Sequence, residues 1–244
     1  MNIRGSAYVA PDAIVAATAH VFEGAWIGPG VEIGPGATIG PGAVLGFAPP
    51  NRPAATLKIG ANTFIDGGVH IRPGSDIGAE VTIEAGSFLG SGTRVGSDSY
   101  LGPNCVVAGN CELQDHVFLS SDVTVCRNAR LQSHCQLMPG VRMLDDFCPP
   151  TQIDPRGPDI GQCAVIGVNA IIWSGVQIGR HALIAAGSIV KNEVSDYMLV
   201  RGAPAKPVCD SRRIQVKMGN CWVYPYPWTR HLVEGEDITK PAPA

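Results

Sequence analysis

The chain has 244 residues, 45% of them apolar and 16% charged, with a net charge of -3. That length suits one large domain or two small ones, and a weakly acidic balance gives no electrostatic reason to expect nucleic acid or an anionic membrane as partner. No run of eighteen apolar residues occurs, so no membrane insertion is expected, and thirty glycines with twenty prolines fall short of the share typical of a disordered chain.

The opening stretch, MNIRGSAYVAPDAIVAATA, is broken by Pro11 and Asp12 and lacks a continuous apolar segment. It reads as folded protein and not as a leader, and a cytoplasmic location is expected. From Val9 onward the chain repeats every six residues. Stepping by six gives Val9, Val15, Val21, Ile27, Ile33, Ile39 and Leu45, then a second run from Ile59 to Met143 and a third from Ile160 to Val190, all aliphatic. Four residues after each aliphatic position stands a small or β-branched residue, such as Ala25, Thr63, Ser87, Cys105 or Ala170. A period of six fits neither a helix nor a simple strand. It fits a short strand followed by a tight corner, where Gly, Asn and Asp supply positive φ. Three such units close one coil, and the repeat predicts roughly nine stacked coils of parallel strands about 4.8 Å apart.

Two insertions interrupt the series, at 46–58 and 144–159. Both are Pro-rich, cannot continue a strand ladder and are expected to bulge out as loops, where function tends to sit. The repeat fades near Val194, which divides the chain into a repeat domain over 1–200 and a C-terminal extension over 201–244. Within the extension, Cys209 to Met218 suggests a short helix, and WVYPYPW is expected to pack on the solenoid or a neighbouring chain. The eight cysteines include no C-x-x-C pair and are read as reduced structural thiols, with Cys105, Cys111 and Cys135 in buried slots.

With these repeats in place, the chain resembles the hexapeptide-repeat acyltransferases, most specifically through IGVNAIIWSGVQIGRHALIAAGSIVKNEVSDYMLVRGAPAKPV, which is similar to the last coils of sugar and antibiotic acetyltransferases. LKIGANTFIDGGVHIRPGSDIG is similar to the UDP-N-acetylglucosamine acyltransferases. The resemblance implies a left-handed parallel β-helix, a homotrimer with sites in the clefts between solenoids, and acyl-CoA or coenzyme A as donor. It also implies a small-molecule acceptor, a sugar or nucleotide-sugar, with no metal. Carried over by position, backbone at Val168, Ala185 and Ala186 should flank the pantetheine arm, and Lys191 and Lys206 should meet the CoA phosphates, where a cation suits strongly anionic oxygens. The family's catalytic histidine positions hold Gly109 and Asn128 here, so that arrangement is not preserved.

A general base must then come from elsewhere. His116 and His134 lie eighteen residues apart, one coil, each three residues after an aliphatic position, and Asp98 and Glu80 extend the same column. An Asp beside His is an acid–base constellation; a solvated polar corner is the alternative. By alignment Asp145 and Asp146 occupy the place of a catalytic group in related acetyltransferases, or they are two exposed loop carboxylates. His70, with Asp98, is a candidate for acceptor binding, whereas His20 and His181 are read as surface residues. A γ-type carbonic anhydrase shares the fold but needs two histidines five residues apart, which this chain lacks. A non-catalytic trimeric scaffold is the other alternative.

Overall fold

A computed structural model describes residues 2–3, 5–48, 55–146, 156–216 and 221–222. It is an all-β, left-handed parallel β-helix with three sheets, of twelve, ten and nine strands, forming the sides of a prism. Strands are two or three residues long up to Val190. Each pairs in parallel with the strand one coil away: Phe64 faces Thr82, His70 faces Phe88 and Asp76 faces Arg94, eighteen residues apart in each case.

The period of six explains the build. Every aliphatic residue named above from Val21 to Val190 points into the bore, and Ile27, Ile39, Ile65, Leu101, Leu119 and Ile172 are fully buried. The small residues four places later close the corners: Ala37, Thr63, Cys105 and Cys135 are each 0% exposed. Backbone N–H and C=O groups pair between coils, and at corners where Thr63, Ser75 and Ser87 are buried their hydroxyls accept from one backbone N–H and donate to a carbonyl. Most corners place one residue in the left-handed region, and glycine or asparagine fills most of those positions. At Gly90 the constraint is approach rather than φ, because a Cβ there would lie 2.5 Å from the Gly109 nitrogen on the next coil.

The three sides differ in what they show outward. On the charged face the outward residues run Glu32, Lys58, Asp76, Arg94, Glu112, Arg130 and Asp159 on successive coils. Signs alternate at every step, so no like charges are neighbours, and Arg130 comes within 4.0 Å of Glu112. The other two faces carry the large outward apolar side chains, interspersed on the first with His20, Thr38, Thr82 and Gln136. The first carries Phe64, Tyr100 and Phe118, the last two stacked at 5.1 Å. The second carries Trp26, Phe88, Val106, Ile171 and Ile189.

Within a coil the chain passes from the charged face over what we call the histidine edge to the first apolar face. It then turns at the glycine edge to the second apolar face and returns over the loop edge. Both insertions leave from the loop edge. Their lengths are read from the ladder: His70 pairs with Val44, twenty-six residues away, and Arg130 pairs with Asp159, twenty-nine away, in place of eighteen. They sit five coils apart, about 24 Å along the axis. Residues 49–54 and 147–155 of these loops, and the WVYPYPW stretch beyond Trp222, lie outside the described residues.

Two expectations change. The solenoid has about ten coils, not nine, because the last coil closes in sixteen residues and escapes a count by six: Val194 pairs with Ile178 and Val200 with Ile184. The helix expected over Cys209 to Met218 is a single 3-10 turn, Ser211–Arg213, flanked by strands Ala205–Asp210 and Gln215–Val216. Met198–Gly202 continues the first apolar face in parallel, then turns at Ala203–Pro204 so that Ala205–Asp210 returns antiparallel along it. Pairing of Cys209 with Leu199 and of Asp210 with Met198 draws the start of that segment into the strand and leaves one short turn after it. Among the described residues no helix is long and apolar enough to cross a membrane.

The bore fixes a stability prediction. Leu101→Ala removes a fully buried side chain and is expected to cost about 2–5 kcal/mol in denaturant unfolding. Asp98→Gly, at a left-handed corner with φ 56°, should leave stability unchanged or raise it by less than about 1 kcal/mol.

Candidate functional site

The histidine edge is a single column of left-handed corner residues. Glu80, Asp98, His116 and His134 have φ of 57°, 56°, 59° and 62°, so all four leave the backbone in the same direction. The imidazoles of His116 and His134 stack at 4.5 Å with 13° between their planes. Glu80 accepts from Asn62 Nδ2 at 2.7 Å, one coil further down. His116, Asp98 and Glu80 are exposed and His134 is half-buried.

The column continues where counting by eighteen loses it. Cys163, His181 and Tyr197, at φ 58°, 54° and 55°, occupy the same corner on the next three coils. The rule that finds them is the one that finds His116, three residues past an aliphatic position, but the second insertion and the shortened last coil hide the spacing. His181 is not a surface residue: it is 7% exposed, and its ring lies on Tyr197 at 5.0 Å and 7°. Its burial comes from Tyr197 and from Ser211, whose hydroxyl donates to the His181 carbonyl at 3.0 Å.

On the loop edge, Asp145 and Asp146 are half-buried at the start of the second insertion. Arg127, one coil below, donates from Nε to Asp145 Oδ2 at 2.8 Å. Sequence reasoning missed Arg127, although its offset of eighteen from Asp145 is visible. Gly109 and Asn128, which stand where the resemblance expects histidines, are on this edge too. Lys191 is on the same edge two coils above Asp145, with its ammonium 4.2 Å from the Trp173 ring centroid.

Val168, Ala185 and Ala186 come together at the glycine edge on consecutive coils, where Gly187 N donates to Val168 O at 2.8 Å. The chain returns over this point: Ala185 N donates to Val200 O at 2.9 Å and Gly202 N to Ser188 Oγ at 3.2 Å. The hairpin tip therefore sits beside Ala185 and Ala186, with Arg201 paired to Lys206 in register and both exposed.

His70 is exposed on the second apolar face between Val44 and Phe88. That face is bordered by the glycine edge on one side and the loop edge on the other. Within one chain the structure thus sets Val168, Ala185, Ala186 and Lys206 on one border of that face and Asp145, Asp146 and the remaining donor candidate Lys191 on the other, while His70 lies four coils nearer the N-terminus than Asp145, about 19 Å along the axis. His116, His134 and Asp98 lie on the remaining edge.

The buried thiols are unsuited to nucleophilic chemistry. Burial pushes Cys105, Cys111 and Cys163 up to about 11, and Cys126 and Cys135 higher still, so each stays protonated near neutrality. Among the described residues no three His, Cys, Asp or Glu side chains converge as a metal-binding group. An open depression of about 350 Å³ on the charged face, lined by Gln132, Asp159, Gln177, Glu193 and Asp196, coincides with neither border of the second apolar face.

Comparison with known proteins places this geometry. Residues 56–91 match the bacterial transferase hexapeptide (six repeats), and residues 159–192 match the hexapeptide repeat of succinyl-transferase. The 2,3,4,5-tetrahydropyridine-2,6-dicarboxylate N-acetyltransferase of Staphylococcus aureus is 41% identical over 51 residues, 21% of this chain and 21% of the relative. The match thus spans about a fifth of the length of these relatives. LpxA from Acinetobacter baumannii superposes with a TM-score of 0.61 at 18% identity, covering 84% of this chain and 73% of that one. The UDP-N-acetylglucosamine acyltransferase from Campylobacter jejuni gives 0.60 at 18%, covering 88% and 79%. At such identity the likeness is one of fold.

Burial pushes His181 down to about 4, helped by the Arg180 and Arg212 charges and opposed by Asp196. A folded value below the ordinary 6.5 means that the unfolded chain takes up the proton first as the pH falls. This group costs nothing above about pH 6.5 and removes about 1–3 kcal/mol of stability on the way down to about pH 4. His181→Phe, which keeps a ring against Tyr197, should flatten that part of the stability–pH curve; an unchanged curve would show that acid sensitivity arises elsewhere.

Proposed function

We propose, for a chain built on bacterial-transferase hexapeptide repeats, that it is an acyl-CoA-dependent acyltransferase. It moves an acetyl or other acyl group to an amine or hydroxyl of a sugar or nucleotide-sugar, and it works as a homotrimer. The observation that carries this reading is the glycine-edge stack of Val168, Ala185 and Ala186 beneath a hairpin tip that presents Arg201 and Lys206. A pantetheine arm is a thin chain with two amides, and small side chains leave backbone near enough to meet it. Cations at its end suit the phosphates. The Staphylococcus aureus relative is named an N-acetyltransferase, which supports acyl transfer to nitrogen, and the Campylobacter jejuni protein is named a UDP-N-acetylglucosamine acyltransferase, which supports a nucleotide-sugar as acceptor.

In the reaction the acceptor nitrogen or oxygen attacks the thioester carbonyl, the C–S bond breaks, and CoA leaves as the thiol. The acceptor proton must go to a base, and the tetrahedral oxyanion needs N–H donors. Asp146 is the base in this reading, and Asp145, fixed by Arg127, orients the acceptor amine. His70, four coils nearer the N-terminus on the same face, contacts a distal part of the acceptor in this reading. An apolar face between donor and base must be covered to exclude water. A second copy of the chain is the fitting cover, since Phe64 and Val106 leave 39% and 41% of their surface exposed on the two apolar faces. His116, His134 and Asp98 would reach the same cleft from that neighbouring copy. The absence of histidine at Gly109 and Asn128 favours, as second reading, a scaffold that binds CoA without transferring an acyl group.

Calorimetric titration with CoA and acetyl-CoA tests the donor. Binding at micromolar to submillimolar concentration is expected, weakened about 3–10-fold in Lys206→Ala, the worth of one charge-assisted contact. No binding at millimolar CoA would end the proposal. With an accepting aminosugar in hand, Asp146→Asn should lower kcat by about 10²–10⁴, whereas CoA binding with no transfer to any amine or hydroxyl acceptor would select the scaffold.

A further inference from the structure

The returning hairpin strand, Ala205–Asp210, is poorly secured by its own pairing. It is the outermost strand of the first apolar face, with a neighbour on one side only. Pro207, opposite Val200, has no N–H to give. The register slips between Leu199 and Val200, and Lys206, Pro207 and Val208 are all exposed. An edge strand with a proline, a slip and little burial would drift if nothing held its far end.

Its far end is held. Ser211, fully buried, donates from N to the Tyr197 carbonyl at 2.6 Å and from its hydroxyl to the His181 carbonyl at 3.0 Å. Arg212 lies 4.3 Å from the Tyr197 ring centroid and is itself fixed by Asp210, Nη2 to Oδ2 at 2.7 Å. His181 is stacked on the same ring, and Arg180, paired with Asp196 at 2.8 Å, sits 5.7 Å from the ring centroid. The backbone supports a special role for this ring. A left-handed φ is uncommon for a bulky residue, and Tyr197 is the one tyrosine among the described residues at φ above zero, amid Asn, Asp, Glu, Cys and His. The tip of the same hairpin, Arg201 and Lys206, lies at the glycine edge, one strand length from the clamp.

We propose that Tyr197, held between His181 and Arg212, is a positioning residue that fixes the returning strand and so sets Lys206 against the anionic end of the donor. This rests on the proposed CoA-dependent reading for its purpose, but the clamp itself does not. The ligand chemistry is a phosphate-bearing nucleotide end, and the part of CoA that reports it is the 3′-phosphate.

The experiment uses the full chain and Tyr197→Leu, Tyr197→Phe and Arg212→Ala. Hydrogen exchange over 198–213 is measured by mass spectrometry, and CoA and dephospho-CoA are titrated side by side. Exchange over 205–210 should quicken at least about tenfold in Tyr197→Leu and Arg212→Ala, while Tyr197→Phe, which keeps the ring, stays near the parent. The parent should bind CoA several-fold more tightly than dephospho-CoA, and the ratio should fall toward one in the two clamp variants. Unchanged exchange in both variants overturns the clamp, whether or not CoA binds. Quickened exchange with an unchanged CoA to dephospho-CoA ratio overturns the positioning role. A parent that binds neither ligand sinks the donor assignment and the positioning role with it, leaving exchange to decide the clamp alone. Arg212→Ala guards against a folding failure of Tyr197→Leu, because it alters an ion pair on the outside of the last coil.

Discussion

The structure depends on one constraint, the parallel ladder that joins each strand to its counterpart one coil away. Because the bore is narrow, inward side chains are aliphatic or small, and buried N–H groups pair with a carbonyl or, at Val81, Thr93, Cys105 and Val117, with a buried Ser or Thr oxygen one coil away. Leu101 and Cys105 illustrate the two kinds of inward position, one on a side and one at a corner, both fully buried. Once the ladder is fixed, outward residues have no freedom in their relative placement. They stand in columns about 4.8 Å apart. The alternating charges from Glu32 to Asp159 and the stacked imidazoles of His116 and His134 are consequences of that spacing.

A three-sided column separates chemistry by edge. Corners are where the chain must adopt positive φ, where insertions interrupt no ladder bond, and where backbone approaches the surface. The loop edge has accepted both insertions, and the ladder resumes in register after eight and eleven extra residues. The glycine edge keeps small residues at Ala185 and Ala186. The histidine edge collects polar residues with long or planar side chains, ending in the Tyr197 clamp. The second apolar face joins the loop and glycine edges, so the proposed donor site and the carboxylates Asp145 and Asp146 stand on the two borders of one face.

Much of this was legible in the chain. The period of six required short strands and corners, the aliphatic series named the core, and the eighteen-residue offset put His116 on His134. A break in period hides part of the rest. His181 looked like a surface residue because its place in the column is hidden by an insertion of eleven, and its burial depends on Tyr197 and Ser211, which reach it only through the shortened last coil. Arg127 was passed over although it lies one coil below Asp145, since an exposed arginine carries no signal until its partner is known. The segment after Cys209 was read as helix because local composition allowed one, and pairing with Met198–Gly202 overrode that preference.

The sequence by itself determined the coil, its core and its columns, because these follow from periodicity alone and periodicity is a property of the string. Only the tertiary structure decided which columns border the same face. That assignment turns on which corner each insertion occupies and on where the sixteen-residue closure brings Tyr197 and the hairpin. No spacing rule carries that information, since residues far apart in number become neighbours only when the ladder has been closed.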